Sequence, residues 1–171
     1  PNFVNLTAAN TDLGNRGVSG PVIFELQSNY SSTGETFPIA INTFSGASST
    51  NTLTIKPGSG VTSTISGSSS VAIIKLNGAD YVTIDGSNNG TTTKNLNITN
   101  TNSGTSSAVV WLASTASDGA TNNTVKNSTL TGNASTTTLG GIVSSGSTIG
   151  AVAEVANSAN TYQNNTISLS Y

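Results

Sequence analysis

Cysteine, methionine and histidine are absent from this chain, and charge is scarce. Without Cys or His there is no zinc finger, iron–sulfur site, disulfide framework, cysteine nucleophile or Ser-His-Asp triad. Charged residues are 7% of the sequence, against roughly 25% in an average globular chain. Five Lys+Arg against seven Asp+Glu leave a net charge of −2. That supplies no basic patch to neutralise phosphates, so nucleic acid is not an expected partner. No apolar run approaches the ~20 residues of a membrane-spanning helix, so membrane insertion is not expected. The 171 residues fit one domain.

Short neutral side chains fill the space that charge leaves. Thr, Ser and Asn number 28, 27 and 22. Such a composition fits either a disordered linker or a β-solenoid. Patterning decides for the second. Val22, Phe24 and Leu26 alternate with Ile23, Glu25 and Gln27. Leu53 and Ile55, Ala72, Ile74 and Leu76, Val82 and Ile84, and Leu96 and Ile98 alternate in the same way, and Ala108, Val110 and Leu112 follow. Period-two alternation in short runs is the strand signal. Between the runs lie turn clusters such as Lys56-Pro57-Gly58, Asp85-Gly86-Ser87-Asn88-Asn89-Gly90 and Ser144-Ser145-Gly146.

The segments also repeat. Asn123-Thr124-Val125 matches Asn165-Thr166-Ile167, and Val82-Thr83-Ile84 sits in an equivalent place. Ile84 to Val125 is 41 residues and Val125 to Ile167 is 42. Recurrent short strands and polar turns mark a solenoid. Each strand then pairs with its counterparts ~4.8 Å above and below, and one face fills a narrow aliphatic core. Asn127 and Asn165 are the candidates for an asparagine ladder from coil to coil. At the N-terminus, Leu6, Ala9 and Leu13 form one helical stripe, with Gly14 as a stop. The expected fold is therefore all-β: a parallel β-helix over residues 20–171 with a short helical cap over residues 1–19, protecting an unpaired strand edge. The chain starts at Pro1 without a signal peptide and stops inside a strand. It reads as a mature or excised segment whose last coil continues in a longer protein or stacks on another molecule.

Several stretches resemble a family of β-helix modules in large secreted and cell-surface proteins of Bacteroidetes-type bacteria. They are Gly20-Pro21-Val22-Ile23-Phe24-Glu25-Leu26, Gly34-Glu35-Thr36-Phe37-Pro38, Leu76-Asn77-Gly78-Ala79-Asp80-Tyr81-Val82-Thr83-Ile84-Asp85-Gly86 and Ala120-Thr121-Asn122-Asn123-Thr124-Val125. The run from Asn77 to Gly86 is the most specific piece. The resemblance implies a right-handed, pectate-lyase-like parallel β-helix, an N-terminal cap, and an extracellular or cell-surface location. That fold serves enzymes and scaffolds alike, so it does not choose between them.

The acids are Asp12, Glu25, Glu35, Asp80, Asp85, Asp118 and Glu154. Only Asp80 and Asp85 lie close in sequence. An extended chain holds them about 16 Å apart, too far for a retaining glycosidase pair at ~5–5.5 Å. No catalytic residue is therefore assigned, and Asp85 before Gly86 reads as a turn former. The loop from Asp85 to Gly90 carries one carboxylate where calcium loops carry several, so neither a metal nor any other cofactor is expected. Trp111 is the single tryptophan. If Val110 and Leu112 face inward, Trp111 faces outward, where it stacks on a sugar ring together with Tyr81 or is buried under a folded-over loop.

These readings favour a non-catalytic structural or adhesive module of a secreted or surface bacterial protein. Its expected partners are other copies of itself, end to end in filaments, or neighbouring domains of the parent protein. The alternative is a carbohydrate-binding β-helix that presents Trp111 and Tyr81 to a polysaccharide; a polysaccharide lyase or hydrolase ranks below both.

Overall fold

Each alternating run is too short to bury much surface by itself, and each is followed by turn residues rather than by a tight hairpin. The runs therefore stack on strands one coil away. The computed structural model describes residues 2–170 and is a parallel β-solenoid of about four turns. The first sheet has the order β1-β3-β6-β9-β12, made of Val22–Leu26, Leu53–Pro57, Val82–Asp85, Thr124–Lys126 and Thr161–Gln163. The second runs β4-β7-β10-β13, made of Ser63–Gly67, Leu96–Asn100, Ser128–Thr131 and Thr166–Ser168. The third runs β2-β5-β8-β11, made of Ile39–Asn42, Ile74–Asn77, Ser107–Ala113 and Thr138–Ser145. All of the pairings are parallel.

The core is a set of side-chain columns, one per inward position. Phe24, Ile55, Ile84, Val125 and Tyr162 share one column in the first sheet. Ile65, Ile98, Leu130 and Ile167 share one in the second. Ile39, Ile74, Val110 and Ile142 share one in the third. Ile55, Ile84, Ile98 and Leu112 are 1% exposed or less, so the column interiors are dry.

The expected step from Val125 to Ile167 is corrected. Ile84 does pair with Val125, but Val125 pairs with Tyr162, and Ile167 pairs with Leu130 in a different sheet. The two Asn-Thr-aliphatic segments look alike because each opens a strand with the same kind of turn, not because they share a side of the solenoid.

The helix α1, Leu6–Arg16, packs at the N-terminal end against β2. Leu6, Ala9 and Leu13 are its buried residues. Asn5 caps it, its side chain accepting from the Ala8 N–H at 2.8 Å. Glu35, far off in sequence, accepts from the N–H groups of Leu6 and Thr7 at 2.7 and 2.8 Å and also from the Tyr30 hydroxyl. Burial, and then the Glu35 charge, push the Tyr30 phenol above its ordinary pKa. The helix runs through Gly14 and ends at Gly17 (φ 65°), whose N–H bonds the Leu13 carbonyl at 2.7 Å. Gly14 keeps helical backbone, whereas Gly17 takes a positive-φ conformation with ψ −159° that glycine alone adopts readily, and an added Cβ there would clash with the Ser45 backbone.

In the first coil the second sheet has no strand. Ser32 takes its place: its hydroxyl donates to the Thr64 carbonyl and accepts from the Ser66 N–H. Phe37 lies over Gly67, where an added Cβ would meet the ring at 2.2 Å.

Candidate functional site

Trp111 sits in β8 between Lys75 and Val143, on the face opposite Val110 and Leu112. The alternation placed it correctly outside the aliphatic column, yet it is 2% exposed. It clusters with Ala72, Ala108 and Ala113, against which Val71, Val143 and Ile149 pack, and its indole N–H donates to Ser145 Oγ at 2.8 Å. Lys75 Nζ lies 4.2 Å from the ring centroid. Burial lowers the Lys75 pKa. The expected sugar platform is thus corrected: the segment after β11 folds over the indole. Tyr81 is half-buried in the left-handed turn (φ 56°) that leads into β6, so the two aromatics belong to different sheets and form no shared surface.

Asn127 and Asn165 do not form one ladder. Asn127 donates to Asp85 Oδ1 at 2.8 Å and accepts from Asn164 Nδ2 at 2.9 Å, which makes a column Asp85–Asn127–Asn164. Both asparagines in it hold left-handed backbone, at φ 55° and 51°. Asn165 does something else. Its side chain accepts from the Ser128 N–H at 3.0 Å and donates to the Val125 carbonyl at 2.8 Å, stapling the turn of the coil before it. Asn123 staples Val82 and Ala79 in the same way, at 2.9 and 2.8 Å. Asn160 staples Asn123 and Ala120, at 2.9 and 2.8 Å. Reading the sequence missed Asn123, Asn160 and Asn164. For Asn123 and Asn160 the available signal was an Asn-Thr step at the mouth of a strand; Asn164, followed by Asn165, carries none.

All seven carboxylates are engaged with the fold. Asp12 pairs with Arg16 at 2.7 Å, and Glu25 lies 3.9 Å from Lys56. Glu35 clasps α1. Asp80 accepts from the Thr121 N–H and hydroxyl at 2.7 and 2.6 Å. Asp85 accepts from the Ser87 N–H and from Asn127, and it pairs with Lys126 at 3.2 Å. Asp118 accepts from the Thr43 hydroxyl. Glu154 accepts from the hydroxyls of Ser114 and Ser147 and from the Ser147 N–H. Those hydrogen bonds, Ser114 first, lower its pKa to about 2. Among the described residues no group of three or more His, Cys, Asp or Glu is placed to hold a metal ion. No helix among them is long and apolar enough to cross a membrane.

Four of these charges share one column on the outer face of the first sheet. Glu25 is opposite Lys56, and Asp85 opposite Lys126, which is followed by Gln163. Lys56 and Asp85 follow Ile55 and Ile84 in the same register, so sign alternates down the column.

The two ends differ. At the N-terminal end, a cleft of about 880 Å³ separates α1 from the free edge of β1, lined by Leu6, Leu13, Val22, Phe24 and Leu26 among others. At the other end, every residue of β12 and β13 is exposed, with Tyr162 at 47% and Ile167 at 48%. Compared with known protein families, curated proteins and solved structures, the chain matches none.

Proposed function

We propose that the chain is a non-catalytic structural module of a secreted or cell-surface bacterial protein, of the β-helix kind found in Bacteroidetes-type bacteria. One observation carries this reading: every one of the seven carboxylates closes a turn, clasps the helix, anchors a loop or pairs with a cation of the fold. A hydrolase or lyase would hold at least one acid or base aimed at an open substrate site. The role of the chain is mechanical. Backbone ladders run along the solenoid axis, and outer faces with few charges limit what salt and pH can act on.

The exposed apolar side chains of β12 and β13 support association of the module end to end. Low net charge lets copies approach without strong repulsion. An activity screen over plant, algal and cell-wall polysaccharides tests the non-catalytic reading. The expected result is no turnover; hydrolysis or elimination abolished by Asp85→Ala or Asp80→Ala overturns it. Electron microscopy of the concentrated chain tests association. Rods longer than one molecule are expected, and monodisperse single particles at every salt concentration sink that part.

A further inference from the structure

We propose that β12 of one copy pairs in parallel with the free edge of β1 in a second copy, so that the first sheet runs from molecule to molecule. This rests on the end-to-end association above and names its two surfaces and their register. The columns of the first sheet set that register. The inward column runs from Phe24 to Tyr162, and an outward one runs Ile23–Thr54–Thr83–Thr124–Thr161. Continuing them places Tyr162 against Phe24, Thr161 against Ile23 and Gln163 against Glu25 of the next copy.

The backbone is poised for this. In a parallel strand, successive residues direct their amide groups to alternate neighbours. Val22 donates to Thr52 and Leu26 accepts from Gly58, so the groups of Ile23 and Glu25 point to the free edge. Thr161 donates to Asn123 and Gln163 accepts from Asn127, so those of Tyr162 point outward. In the continued register the Tyr162 N–H meets the Ile23 carbonyl, and the Tyr162 carbonyl meets the Glu25 N–H.

The side chains agree. Ile23 is 57% exposed and Tyr162 47%. The cleft beside β1 has an apolar floor where Tyr162 packs on Phe24 and the core beneath it. The charge column ends in the Glu25 carboxylate at one end and a neutral amide, Gln163, at the other, so the junction sets a donor against an acceptor without like charges meeting. The helix α1 forms the far wall of the cleft, so the entering β12 lies between it and β1. The helix packs on β2 in the third sheet, while the last described coil places its strands in the first and second.

The absence of native cysteine makes a register-specific test direct. Neighbouring strands lie ≈ 4.7–4.9 Å apart, within the 4.4–6.8 Å Cα separation of disulfides. Under mild oxidation the Ile23→Cys/Thr161→Cys double variant is expected to give a ladder of dimers, trimers and higher species on a non-reducing gel. Each single variant gives no such ladder, and Ile23→Cys/Gln163→Cys, two residues out of register, loses it. Matching melting curves show that the variants fold, since all three positions are exposed. Sedimentation of the unmodified chain separates the failures. Strict monomers at all concentrations overturn both the association and this interface. Association with equal or stronger cross-linking of the offset pair leaves the association standing and overturns the interface. A peptide of residues 51–57 that saturates the cleft of a monomeric chain assigns the cleft to a foreign strand and also overturns it.

Discussion

Asparagine holds this molecule together at positions where a hydrophobic residue has nothing to offer. Every coil must turn three times, and each turn leaves amide groups that no ladder reaches. Asn123 answers one donor and one acceptor of the preceding turn at once while only 1% exposed. Asn123→Ala is expected to destabilise the chain by about 1–3 kcal/mol, because the Val82 N–H and the Ala79 carbonyl lose their partner inside the protein. Asn165→Ala at the exposed last coil should cost less. Chemical denaturation of the two variants checks this, and equal losses would show that the staple is not what matters. The sequence pointed to asparagine but not to the right grouping. Asn164 and Asn165 are adjacent, yet one continues a column and the other staples a turn, a distinction set by backbone dihedrals that composition does not encode.

Among the elements, strands with one dry face were legible and those with two were not. β3 and β7 alternate buried and half-buried residues, as their sequences do. β8 is buried along its whole length because the segment after β11 covers its outer face, and nothing local to Trp111 announces that cover. Glu154 anchors the segment through Ser114 and Ser147. Its pKa is lowered to about 2, so its contribution is fully present above the ordinary carboxylate value near 4.5 and is lost as pH falls toward 2. Trp111 fluorescence is expected to shift to the red across that window, reversibly, while Glu154→Gln flattens the response. An unchanged spectrum down to pH 2 would mean that Glu154 does not hold the cover.

For the whole molecule, stability follows mainly nearest neighbours, because the strand ladders join each coil to the next and a few side-chain bonds, such as Thr43 to Asp118 and Lys94 to Thr166, skip one. Middle strands such as β6, β7 and β8 are paired on both sides, whereas β12 and β13 end the first and second sheets and are exposed throughout. Hydrogen exchange is expected to be slowest in β6, β7 and β8 and fastest in β12 and β13; uniform protection along the axis would contradict this coil-by-coil view. The solenoid itself was legible, but its rungs recur unevenly, 41 residues from Val82 to Asn123 and 37 from Asn123 to Asn160. Loops of unequal length hide the repeat, and only the hydrogen-bonded register restores it.

The alternating signs along Glu25, Lys56, Asp85 and Lys126 also bear on how the chain winds. A strand that jumped past its neighbour during folding would bring Glu25 against Asp85, or Lys56 against Lys126, and be repelled. Aliphatic residues are interchangeable from rung to rung and would tolerate such a skip. These four charges therefore act as a tally, letting a nearly neutral polymer count its own turns.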